Sequence, residues 1–183
     1  DVPEKLSREG GNLLWTMDLP GRGTVVVGEY KDQKRAIVWG YEGEGAQLQE
    51  VIACIDPETG KVLWEHRFSD FISDIIYNRY SIGAASIDPK TGNVYVMTTP
   101  GLLLCFDREG RQLWQVSMLE TYGRLTFPNG RTGAPVVDGK LVIVNAITSN
   151  WGSEGPGRNR FYAFDKASGE LVWSSDPGVG PPF

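Results

Sequence analysis

Seven side chains in the C-terminal half have types and spacing suited to holding an anion. Arg124 follows Tyr122-Gly123, and Asn129 and Arg131 share a Gly-rich stretch with Thr132. Asn150, Trp151, Arg158 and Arg160 occupy the next polar stretch. Four arginines on two neighbouring loops can clamp a carboxylate or phosphate through forked N–H pairs. Trp151 offers a flat face to a planar ligand or to the arginines themselves. The plainer reading, and the favoured one, is that these groups brace two long loops against each other, since structural ion pairs are common.

Other reactive types are sparse. Cys54 and Cys105 are the two cysteines and His66 the one histidine. A disulfide framework needs more cysteines, and zinc needs clustered Cys or His. A nucleophilic mechanism would have to run through His66, beside an apolar strand pattern, where a Ser-His-Asp or Cys-His group is not expected. No segment has the convergent oxygens of a calcium loop. The net charge of −5 argues against nucleic acid as a partner, because phosphate binding needs a basic surface. No apolar run reaches the roughly 20 residues that span a bilayer, and no signal peptide is visible.

The elements that must position these residues come from a repeat. Gly11-Asn12-Leu13-Leu14-Trp15, Gly60-Lys61-Val62-Leu63-Trp64, Gly110-Arg111-Gln112-Leu113-Trp114 and Gly169-Glu170-Leu171-Val172-Trp173 align, with Trp-to-Trp spacings of 49, 50 and 59. Upstream of the last three stand Cys54-Ile55-Asp56, Cys105-Phe106-Asp107 and Ala163-Phe164-Asp165. The unit is small-apolar-Asp, a turn with Gly, then a strand ending in Trp; the Gly110 copy lacks one turn residue. Asp56, Asp107 and Asp165 can bond backbone N–H groups two residues on, and Gly60, Gly110 and Gly169 supply positive φ. Trp15, Trp64, Trp114 and Trp173 recur with the unit, so they are expected to pack one unit on the next. Cys54, Cys105 and Ala163 share a slot for a small residue, where a buried cysteine acts as a small hydrophobe.

A second hairpin precedes each of these. Ala134–Val137 and Lys140–Val144 flank Asp138-Gly139, a strong hairpin signal. Ala84–Ile87 and Asn93–Met97 flank Asp88–Gly92, and Thr24–Val27 and Arg35–Trp39 flank Lys31–Lys34. Four short strands recurring every 50 or so residues make a blade, so the expected fold is an all-β propeller of four-stranded antiparallel blades. Blades are expected at about 21–67, 81–118 and 132–176, with 11–20 as the outer strand of a preceding blade. Ser69–Tyr80 has room for a helical turn.

The unit Cys54-Ile55-Asp56-Pro57-Glu58-Thr59-Gly60-Lys61-Val62-Leu63-Trp64 resembles the pyrroloquinoline-quinone (PQQ) type repeat of quinoprotein dehydrogenases. It is similar as well to repeats of non-catalytic relatives, the outer-membrane assembly propeller lipoprotein and the sensor regions of some kinases. The resemblance implies tryptophan-docked blades in a ring of seven or eight. Three blades cannot close, so further blades of the same propeller are expected at both ends. It also implies a periplasmic, cell-surface or secreted setting. Dehydrogenases of this type hold the quinone over an adjacent Cys-Cys disulfide beside calcium held by Glu, Asn and Asp; this chain has no adjacent cysteines. Because function lives in sites grafted on folds, three readings stand in order. The first is a non-catalytic scaffold that binds a protein or small molecule through the long-loop face, without cofactor. The second is a fragment of a PQQ- and calcium-dependent dehydrogenase whose catalytic residues lie elsewhere. The third is an extracytoplasmic sensor domain.

Overall fold

The computed structural model describes residues 13–18, 23–69, 83–122, 124–125, 133–149 and 158–175. The chain folds into consecutive antiparallel meanders, each one blade of a β-propeller. The first sheet is β1 (Thr24–Tyr30), β2 (Gln33–Glu42), β3 (Gln49–Ile55) and β4 (Val62–Ser69). The second is β5 (Ser86–Ile87), β6 (Val94–Met97), β7 (Leu102–Phe106) and β8 (Gln112–Ser117). The third is β10 (Val136–Asp138), β11 (Leu141–Ser149), β12 (Arg158–Asp165) and β13 (Leu171–Ser174), with β9 (Arg124–Leu125) added beside β11.

Sequence and structure differ at two connections. The first hairpin turns on two residues, Lys31 (φ 49°) and Asp32 (φ 60°), rather than the four from Lys31 to Lys34. Two left-handed residues match the twist of the flanking strands, and the ladder therefore runs on to Tyr30 and Gln33. A helical turn, α1 (Met118–Tyr122), opens the connection after β8, with Ser117 Oγ accepting from Glu120 N at 3.2 Å. Residues 13–18 carry no ladder among the described residues. The helical turn expected at Ser69–Tyr80 falls, after Ser69, outside the described residues.

The β3–β4, β7–β8 and β12–β13 turns are built alike. Asp56 Oδ1 accepts from Glu58 N (2.9 Å), Asp107 Oδ1 from Glu109 N (3.1 Å) and Asp165 Oδ1 from Ala167 N (2.9 Å). In the shortened copy Asp107 Oδ1 also takes Arg111 N at 2.8 Å. Backbone N–H donors hold the Asp56 and Asp165 carboxyls below their ordinary range. The register of β3, β7 and β12 slips by a bulge just after the small residue, leaving Cys54, Cys105 and Ala163 opposite Trp64, Trp114 and Trp173.

The blades dock through these turns. The Trp15 indole lies on Gly60, Trp64 on Gly110 and Trp114 on Gly169; a Cβ on those glycines would sit 2.7, 2.5 and 2.7 Å from the ring. Each indole N–H donates to the carbonyl just after the turn aspartate: Trp15 to Pro57 (2.8 Å), Trp64 to Arg108 (3.0 Å) and Trp114 to Lys166 (3.1 Å). Behind the turns lie two apolar seams. One joins Ile37, Trp39, Ile52 and Cys54 to Val94, Val96, Leu104 and Phe106. The other joins Tyr95, Met97, Leu103 and Cys105 to Val142, Val144, Tyr162 and Phe164. The central strands β6 and β7 thus send alternate side chains into opposite seams.

Two buried carboxylates add to the docking. Lys166 Nζ lies 2.6 Å from Asp88 Oδ2, with the Asp88 side chain 2% exposed. Burial pushes the Asp88 carboxyl up, but Lys166, the Lys90 N–H and Thr91 together hold it below its ordinary value. Glu50, fully buried on β3, accepts from Thr99 N (2.9 Å) and Thr99 Oγ1 (2.5 Å) in the β6–β7 turn.

Two outcomes follow for stability. Gly110→Ala forces a side chain onto a left-handed residue (φ 86°) and into the Trp64 ring, and should cost about 3 kcal/mol by chemical denaturation. Gly45→Ala, at φ 58° with open space around it, should cost about 1 kcal/mol; equal losses would mean the indole contact contributes nothing. Because the folded Asp88 carboxyl is lowered, its stabilising effect is complete above the unfolded value of about 4 and fades as pH falls through the folded one. Lys166→Met should cost about 3 kcal/mol at neutral pH. That loss should shrink below about pH 4; a pH-independent loss would assign it to packing.

Candidate functional site

In a meander, alternate connections leave from opposite ends. One end carries the short β1–β2, β3–β4, β5–β6, β7–β8, β10–β11 and β12–β13 turns. The other carries the long connections between 42 and 49, 69 and 86, 117 and 136, and 149 and 158, together with the tight Thr98–Gly101 turn. Loops on a rigid scaffold are where binding residues concentrate, and strands β9 and β12, which carry Arg124, Arg158 and Arg160, adjoin the long-loop end.

The structure reaches three of the seven. Arg124 pairs with Ser149, and Arg158 pairs with Thr148 on the other side of β11. The ladder therefore sets these two backbones on the strands flanking β11, one register step apart. Arg160 is half-buried, opposite Ala146, and its carbonyl accepts from Asn145 Nδ2 at 3.1 Å. Asn129, Arg131, Asn150 and Trp151 lie outside the described residues. Helix α1 supports this end of the third blade: Met118 is fully buried, and the Tyr122 ring packs 4.8 Å from Tyr162 and 6.0 Å from Phe164.

Two further features of this end were not singled out from sequence. The Glu50–Thr99 contact ties the first two blades together beneath the loops. Its signal was the alternation of β3, in which Glu50 is in phase with the core residues Ile52 and Cys54. Trp39 is 1% exposed, its ring lies against Gly83, and its indole N–H has no acceptor among the described residues.

The reactive residue types are placed for packing. Cys54 and Cys105 are free, buried thiols. Burial pushes Cys54 up to about 11 and Cys105 up to about 12, so neither forms the thiolate that attacks or ligates at neutral pH. His66 stacks on Phe106 at 4.6 Å and meets Gly110 O at 2.5 Å, within the seam between blades. Among the described residues no cluster of three or more His, Cys, Asp or Glu is placed to hold a metal ion. No described helix is long and apolar enough to cross a membrane.

Comparison with known proteins bears on this arrangement. No curated protein matches the sequence. Among solved structures, BamB from Moraxella catarrhalis is 20% identical with a TM-score of 0.57, over 91% of this chain and 40% of that one. A quinohemoprotein alcohol dehydrogenase from Comamonas testosteroni is 25% identical with a TM-score of 0.45, over 76% of this chain and 19% of that one. One from Pseudomonas putida is 21% identical with a TM-score of 0.47, over 86% and 21%. The chain thus spans from about a fifth to two fifths of the length of these three proteins. The family model described as outer membrane protein assembly factor BamB fits residues 1–118 and, displaced by about one repeat, 49–182. Fitted twice by that model and built of PQQ-type repeats, the chain belongs to the PQQ-like β-propeller family of BamB.

Proposed function

We propose that this chain is part of a larger, non-catalytic propeller that binds a protein partner through its long-loop end. Membership of a family described by outer-membrane protein assembly carries the reading. By the same family argument the setting is periplasmic, at the cell surface or secreted.

The faces at the two ends of the described stack support the larger ring. On the first blade Val25 is 58% and Val27 60% exposed; on the third, Val136 is 59%, Phe161 50% and Trp173 40% exposed. Patches of this kind on a stable protein are covered by something. Three of the four repeat tryptophans, Trp15, Trp64 and Trp114, lie on the turns of Gly60, Gly110 and Gly169, which leaves Trp173 for the turn of a further blade. The remaining blades of the same propeller are the fitting occupants.

Arg124, Arg131, Arg158 and Arg160, with Asn129, Asn150 and Trp151, are the proposed contact residues. They would present a basic, aromatic patch on an acidic protein, suited to an acidic partner segment.

Photo-crosslinkers at Arg124 and Trp151 of the full-length protein should give partner adducts, and crosslinkers at Lys34 and Glu58, on the short-turn end, should give few. Adducts confined to the short-turn end would overturn the assignment of the face. In parallel, titration with PQQ and calcium should leave tryptophan fluorescence unchanged and reduce no dye with simple alcohols or sugars. Saturable quenching with dye reduction would replace the scaffold by a dehydrogenase.

A further inference from the structure

The outer strand of each blade packs on the third strand of the next. On β4, the Trp64, His66 and Phe68 rings lie 5.7, 4.6 and 6.3 Å from the Phe106 ring of β7. Residues 13–18 take the corresponding place on the first blade, with Trp15 on Gly60 and Met17 against the cluster of Ala36, Val38 and Ile55.

One position on the receiving strand departs from the pattern. Ala53, Leu104 and Tyr162 each precede the small residue of the repeat, and they pair with Val38, Val96 and Val144. Leu104 is fully buried and Tyr162 nearly so. Ala53 is the short member of the set, and it leaves a recess of about 200 Å3 among Met17, Val38, Val51, Ala53 and Val62. The strand that packs on this side is already in place as residues 13–18. Inner strands of a preceding blade would stack further in, towards β1, where Val25 and Val27 are exposed.

The rim of the recess is charged where the other blades are neutral. Glu65 pairs with Ala53, whereas Gln115 pairs with Leu104 and Ser174 with Tyr162. Arg67 pairs with Val51, whereas Ser117 pairs with Leu102. Arg67 Nε meets Glu65 Oε1 at 2.7 Å, and its Nη1 meets Glu42. Asp18 lines the recess as well, and it has no ion pair among the described residues. Three carboxylates, Asp18, Glu42 and Glu65, thus face the single guanidinium of Arg67 beside an apolar floor.

We propose that this recess binds a small aliphatic amine, a primary ammonium on a short alkyl stem. The stem takes the space that Leu104 and Tyr162 fill in the other blades, and apolar burial holds it. The ammonium stays at the rim among the carboxylates, as long cationic side chains keep their heads in water while their stems lie on apolar surface. The space is sufficient, since an apolar cavity of about 150 Å3 takes a benzene. Arg67 competes for Glu42 and Glu65, which keeps the affinity modest.

The test is a titration of the full-length protein with n-pentylamine at neutral pH, where an alkylamine is charged, read by saturation-transfer NMR. Saturable binding is expected at roughly millimolar concentration or below. 1-Pentanol has the stem without the charge, and methylammonium the charge without the stem; each should bind at least about tenfold more weakly. Ala53→Leu, which supplies the side chain of the second blade, should abolish binding and leave the thermal midpoint unchanged or higher. Glu65→Gln, again the residue of the second blade, should weaken binding about tenfold. No saturable binding up to roughly 10 mM, equal binding of 1-pentanol, or binding that both variants retain would overturn the proposal. Should either variant unfold, crystals of the wild-type protein soaked in n-pentylamine decide the matter: density between Met17 and Arg67 supports the site, and density only elsewhere removes it.

Discussion

The structure depends on one contact, an indole laid flat on a left-handed glycine with its N–H on the carbonyl beside it. A blade of four short strands has two apolar faces and cannot bury both alone. The contact solves this by making the end of one blade's outer strand part of the next blade's turn. It fixes distance, because only a residue without Cβ lets the ring approach so closely. It fixes register too, because the N–H finds one carbonyl in each turn. The bulge opposite the tryptophan and the small residue before it serve the same end, since a larger side chain than Cys or Ala would compete with the indole for one space. Most of the repeat motif is therefore explained by a single interface.

This is why so much of the architecture was legible in the sequence. Trp, Gly, Asp and the small residue are required at every interface, so they recur and betray the period. The Asp88–Gly92 and Asp138-Gly139 turns could be read for a similar local reason, since their chemistry lies within a few residues. The first hairpin was harder. Lys31 and Asp32 adopt positive φ without a glycine, and the turn is set by strands that pair further than their composition suggests.

What the sequence hid are the contacts that occur once. Glu50 and Thr99 meet across 49 residues, and Asp88 and Lys166 across 78. No period announces such a pair; it needs knowledge of which blade face meets which. The same holds for the candidate arginines. The repeat assigns their loops to one end, and the β9–β11–β12 ladder brings the backbones of Arg124 and Arg158 together, but the pairing of a two-residue strand such as β9 has no local signature.

Repetition with single departures also separates the contacts that every interface needs from those that can be exchanged. In a stack of equivalent interfaces each position has a default occupant, fixed by packing, and the neighbouring blades display it. Tyr95, Asp88 and Lys166 form a filled interface in which a phenol and a carboxylate are both satisfied by one residue. Where Ile37 and Gly28 replace the first two, Ile87 closes on Gly28, and Arg108 pairs with Glu109 and Gln33 instead. Both seams stay buried, so the indole on its glycine and the apolar packing behind it are what each interface keeps, while the polar partners are exchanged around them.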